Sequence, residues 1–92
     1  MSRKRLHIIY TGTVQGVGFR WTAEKSANSA GVTGWVRNVP DGTVEVMAEG
    51  EEEALVGLIR AIKNVMQHYI EDTAVEWLDY KDEFKGFRVR FY

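Results

Sequence analysis

The chain is predicted to be an α+β two-layer sandwich, βαββαβ in order, with an additional short C-terminal strand and two helices on one face of the sheet. Three observations carry this. Short runs of alternating apolar and polar residues, such as Leu6-Ile8-Tyr10, Val44-Val46-Ala48 and Phe87-Val89-Phe91, have the period of strands. Two runs between them repeat apolar residues at helical spacing instead. With 92 residues the chain cannot build a third layer, so one sheet face must take both helices.

The first strand is expected from about Arg5 to Thr13, where Leu6, Ile8 and Tyr10 alternate with His7, Ile9 and Thr11. Gly12, Gly16 and Gly18 then break the pattern into a loop. From Phe19 to Ala30 the apolar positions Phe19, Ala23, Ala27 and Ala30 form a helical stripe, with Thr22, Glu24, Lys25 and Asn28 on the wet side. Gly31 follows as a residue able to take the positive φ that commonly ends a helix. Gly34 to Asn38 reads as a second strand, and Pro40-Asp41-Gly42 as a turn: Pro presets φ, Asp bonds nearby backbone, Gly accepts positive φ.

A third strand from Val44 to Glu49 completes the hairpin, and Gly50 is expected to end it. Glu51, Glu52 and Glu53 favour a helix start through the macrodipole. The stripe Leu55, Leu58, Ile59, Ile62, Val65 and Met66 defines the second helix. Thr73 to Tyr80 and Phe87 to Tyr92 supply the last two strands, with Trp35 and Trp77 expected to pack on the sheet. Right-handed crossovers favour the ferredoxin-like arrangement, over residues 1–92 as a single domain.

Composition narrows the chemistry. No Cys is present, which removes disulfides, thiolate nucleophiles and thiolate zinc sites. A net charge of −1 is ill suited to neutralising a nucleic-acid backbone, so no nucleic-acid partner is expected. No apolar run approaches the roughly 20 residues of a membrane span, and Leu6 to Tyr10 is too short for a secretory signal core. A soluble, cytoplasmic monomer without membrane association is the expectation. His7 and His68 lie far apart and have no ligand partner at helical spacing, and no metal or other cofactor is expected.

The stretch from Thr13 to Arg20 lies where a strand meets a helix. Backbone N–H groups there lack intrahelical partners, and the macrodipole adds positive charge. Gly16 and Gly18 permit a concave turn and open the way to a ligand. Arg20, at the helix start, can bind two oxygens of one anion through its planar fork. Together they suit a tetrahedral phosphoryl group, although a Gly-rich connection with a surface Arg fits the residues as well. Nucleotide motifs fail: Phe19 and Arg20 follow Gly18 where a P-loop needs Lys and Ser or Thr, and Trp21 stands where a dinucleotide fingerprint needs a small residue.

Gly12-Thr13-Val14-Gln15-Gly16-Val17-Gly18-Phe19-Arg20 resembles the first acylphosphatase signature, and Gly34-Trp35-Val36-Arg37-Asn38 with Gly42, Val44 and Gly50 resembles the second. The resemblance implies a hydrolase of small-molecule acyl phosphates that needs no cofactor; acylphosphatase-like domains also occur inside larger carbamoyl-transfer maturation proteins, and a free-standing enzyme is the expectation. It implies that Arg20 and the backbone of Gln15, Gly16, Val17, Gly18 and Phe19 bind phosphate, and that Asn38 orients the attacking water. Read without the resemblance, Asn38 is simply the residue entering the Pro40-Asp41-Gly42 turn. The Gln15 side chain is expected to be structural. An RNA-binding module is the competing class, since Lys85 to Phe91 partly echoes the aromatic strand of RNA-recognition motifs; that signature belongs on the third strand, which here carries Glu45 and Glu49 and no ring.

Overall fold

The structure, a computed structural model, describes residues 2–91. Among them the elements run β1 (Arg3–Gly12), α1 (Phe19–Ala30), β2 (Thr33–Asn38), β3 (Val44–Glu51), α2 (Glu52–Met66), β4 (Ile70–Asp79) and β5 (Phe87–Arg90). They form one sheet in the order β4-β1-β3-β2-β5, antiparallel except where β5 joins β2 in parallel. This is the expected βαββαβ sandwich with its additional C-terminal strand.

Alternation decides which sheet face is dry. Leu6, Ile8 and Tyr10 of β1, Val36 of β2, and Val44, Val46 and Ala48 of β3 are all buried in one core. Against them pack Phe19, Ala23 and Ala27 of α1 and Leu55, Leu58, Ile62 and Met66 of α2. Each fully buried large side chain contributes about 1.5–3 kcal/mol of hydrophobic stabilisation. Glu52 and Glu53 occupy the first turn of α2 and Gly31 closes α1 at φ 75°, as their chemistry requires. No helix of the described residues is long and apolar enough to cross a membrane.

Several boundaries and faces differ from expectation, each for a local reason. β1 begins at Arg3 because Arg3 and Lys4 pair with Glu51 and Gly50, and the same pairing carries β3 past Gly50. β4 begins at Ile70, which pairs with Gly12 beyond a register shift after Thr11. β4 stops at Asp79, and β5 stops at Arg90, so Phe91 leaves the sheet. Thr22 is buried rather than wet. Trp77 is 43% exposed because β4 is an edge strand, and Val65 of the α2 stripe is 59% exposed.

The connection from β4 to β5 turns back over the other sheet face. There Glu49, only 1% exposed, accepts backbone N–H bonds from Lys81 (2.7 Å) and Glu83 (2.9 Å). Arg5 lies 3.8 Å from the same carboxylate and also pairs with Glu83. This buried knot fixes where β5 re-enters the sheet beside β2.

Candidate active site

The loop between β1 and α1 is shaped by its glycines. Gly16 (φ 76°) and Gly18 (φ 81°) both take left-handed backbone, which other residues adopt only with strain. A Cβ at either position would meet no protein atom within 4 Å, so conformation, rather than crowding by the protein, is what requires glycine there. Gly18 caps α1 without a side-chain hydrogen bond. Among the described residues the amides from Gln15 to Phe19 find no acceptor, the first bond past the loop being Thr22 N–H to the Gly18 carbonyl at 3.0 Å. Unpaired donors at a helix N-terminus attract an anion.

The loop is fastened to the β2–β3 hairpin by Gln15. Its Nε2 donates to the carbonyls of Val39 (2.7 Å) and Thr43 (2.9 Å). The hairpin turn is held by Val39 N–H to Thr43 O and by Asp41, whose Oδ1 accepts from the Thr43 amide and hydroxyl. Those two bonds lower the Asp41 pKa below its ordinary value.

Loop, helix start and hairpin meet in a cleft of about 600 Å³, lined among others by Gly16, Gly18, Arg20 and Asn38. Arg20 pairs with no carboxylate among the described residues; its Cζ stands 5.1 Å from the centroid of the Phe91 ring. Asn38 ends β2, and its Oδ1 is buried without a hydrogen-bond partner among the described residues. A buried polar oxygen left unpaired costs about 1–3 kcal/mol, which marks a position kept for something other than stability. The side chains singled out in the sequence thus face one cavity. Arg88, Val89 and Phe91 also line it, although the sequence pattern placed them only in a strand.

An acylphosphatase family model matches residues 6–89. The chain belongs to the acylphosphatase family. It is an enzyme of that family, 44% identical over 88 residues to an acylphosphatase from Caldanaerobacter subterraneus subsp. tengcongensis, covering 95% of this chain and 98% of the relative. It is also 44% identical over 92 residues to an acylphosphatase from Pelotomaculum thermopropionicum, covering 99% and 100%. The crystal structure of acylphosphatase from Bacillus subtilis superposes with a TM-score of 0.87 at 34% identity, covering 95% of this chain and 98% of that one. The acylphosphatase resemblance read from two motifs therefore extends over nearly the whole chain, including its C-terminal half.

Other clusters lie away from this cleft. His7 is more than an ordinary strand residue: its Nε2 stands 2.6 Å from Glu45, which also accepts from Arg37 at 2.7 Å. Burial would raise the Glu45 pKa, but these two partners outweigh it and hold the carboxylate below its ordinary value. The described residues contain no group of three or more His, Asp or Glu side chains arranged to hold a metal ion.

Proposed function

We propose that this chain hydrolyses acyl phosphates to a carboxylate and inorganic phosphate by direct in-line attack of water on phosphorus. Arg20 and the amides of Gln15 to Phe19 hold the phosphoryl oxygens, and their attraction grows as charge accumulates in the transition state. The Asn38 carboxamide orients the water; it is not a base. The water oxygen bonds to phosphorus, the bond from phosphorus to the acyl oxygen breaks, and the phosphate oxygens take up the water's proton. The leaving carboxylate needs no proton, since its conjugate acid has a pKa of about 4 to 5. A monoester would expel an alkoxide and need a general acid; an acyl phosphate is matched to this lean set of groups.

The observation that carries the reading is that Asn38, whose side-chain oxygen is buried and unpaired among the described residues, lines the same cleft as Arg20, Gly16 and Gly18. The test is phosphate release from acetyl phosphate in the presence of a chelator, for the wild type, Arg20→Ala and Asn38→Ala. Turnover by the wild type with severe loss in both variants is expected. Wild-type turnover in Arg20→Ala sinks the assigned mechanism.

A further inference from the structure

β4 forms one end of the sheet, and its outer side has no neighbouring strand. In an antiparallel strand alternate residues turn their N–H and C=O away from the strand they pair with. Over Ile70–Asp79 this leaves a row of donors and acceptors to which, among the described residues, no other segment bonds. Natural proteins blunt long edges with Pro, Lys, a bulge or a covering helix. β4 contains neither Pro nor Lys. The register shift opposite Thr11 and Gly12 lies at its very start and leaves Asp72 to Asp79 in an unbroken ladder. No helix covers its middle, since every residue from Glu71 to Trp77 is exposed.

The two faces of this edge differ in chemistry. Thr73, Val75 and Trp77 lie opposite the buried Tyr10, Ile8 and Leu6 of β1, so they stand on the helix side. Val75 and Trp77 overhang the core there at 41% and 43% exposure. Beside them, between α2 and the start of β4, opens a cavity of about 400 Å³ lined by Ile59, Ile70, Thr73 and Val75 among others. Asp72, Ala74 and Glu76 lie opposite Thr11, Ile9 and His7 on the other face.

Charge decides what the edge accepts. β4 carries Glu71, Asp72, Glu76 and Asp79 and no Lys or Arg. A two-fold antiparallel pair of β4 strands centred on Ala74 would set Asp72 against Glu76, and one centred on Val75 would set Glu71 against Asp79. Like charges directly opposed destabilise a ladder, so the edge repels a copy of itself. The same acids attract a strand of the opposite sign.

We propose that β4 is a docking edge for an extended segment of another protein in which apolar residues alternate with Lys or Arg, added antiparallel as a further strand. Its apolar residues cover Thr73, Val75 and Trp77, and its cations stand opposite Asp72 and Glu76. The spacing of those two acids sets the cations four positions apart. β4 and β5 are the two ends of the sheet, so the added strand leaves open the cleft that β5 lines.

The test is an amide NMR titration of the isotope-labelled protein with the end-blocked peptide Val-Lys-Val-Thr-Val-Lys and with its counterpart carrying Glu for both Lys. The expected result is a set of shifts centred on β4, with the Lys peptide bound about fivefold or more tightly than the Glu peptide. That margin should shrink in high salt. Asp72→Lys combined with Glu76→Lys should reverse the preference, with amide signals away from β4 unchanged as the control for folding. Absence of β4 shifts at millimolar Lys peptide overturns the proposal. So does a preference for the Lys peptide that survives the double reversal, which would put binding elsewhere. Concentration-dependent loss of the β4 signals without peptide would give the edge to a second copy and overturn it as well.

Discussion

Gln15 donates to the Val39 carbonyl at 2.7 Å, and this bond joins the β1–α1 loop to the hairpin that carries Asn38. A second bond to the Thr43 carbonyl at 2.9 Å makes the clip two-pronged. The two halves of the site are distant in sequence, so their relative position depends on such cross-links and on the core beneath. Gln15→Leu should lose about 1–2 kcal/mol of stability, the worth of two partly buried hydrogen bonds, and should lower kcat about tenfold through misplacement of the amides against Asn38. Gln15→Glu should be worse, because a carboxylate would face two carbonyl oxygens. Urea unfolding and steady-state kinetics check both; unchanged kcat in Gln15→Leu would confine the side chain to folding.

Arg20→Ala should lose about 3 kcal/mol or more of transition-state stabilisation, a drop of two orders of magnitude or more in kcat/KM. Arg20→Lys should recover little, since an ammonium cannot present two parallel N–H donors to one phosphoryl group. Because Arg20 is partnered by the Phe91 ring and by no carboxylate among the described residues, its removal should leave thermal stability nearly unchanged.

Asn38→Ala should separate turnover from binding. The expected result is a large loss of kcat with competitive inhibition by inorganic phosphate retained, since the cradle is intact. Because the Asn38 oxygen is buried and unpaired, Asn38→Ala should also be neutral or slightly stabilising. A destabilised variant that loses phosphate binding and turnover together would return Asn38 to the role of a turn residue.

The parts of the site readable in the sequence are those with local causes. Gly16 and Gly18 advertise positive φ, and Arg20 follows them within one turn of helix, so the proposed cradle is legible before any strand is paired. Asn38 looked like a turn residue until the acylphosphatase resemblance gave it another role; what the sequence pattern lacked was the Gln15 clip that brings the two segments together. Strand alternation runs on through Phe91, whereas the pairing with β2 ends at Arg90. Glu49 was invisible for a similar reason. On the alternating pattern of β3 it looks like Glu45, a polar outward residue, and only the returning connection 32 residues later buries it.

Glu49→Ala should be among the more damaging single changes outside the cleft. It removes the acceptor for two backbone N–H groups and leaves the Arg5 guanidinium, with a side chain only 9% exposed, without its buried partner. Breaking a buried charge pair from one side destabilises by about 3–5 kcal/mol. Glu49→Gln keeps one acceptor oxygen and should lose less. Since the same connection places β5 and hence Val89 and Phe91, partial urea concentrations should raise KM in the Gln variant before they unfold it. Equal stability of Glu49→Ala and wild type would mean that the connection is held by other contacts.

Glu45 gives the pH dependence a definite sign. Its folded-state pKa lies below the unfolded value of 4.5, because the His7 and Arg37 contacts outweigh the cost of its burial. A carboxylate depressed by folding binds fewer protons folded than unfolded, so its contribution is complete above the unfolded pKa and declines as pH falls through the folded one. Glu45→Gln should therefore be less stable than wild type at pH 6, by about 1–2 kcal/mol for two charge-assisted bonds near the surface. The gap should close progressively as the pH drops below 4.5, where the wild-type carboxylate itself becomes protonated. Urea titrations of both proteins at stepped pH measure this directly. A difference that stays constant from pH 6 down to strongly acidic solution would mean that Glu45 acts through packing alone and that its bonds with His7 and Arg37 contribute nothing to the fold.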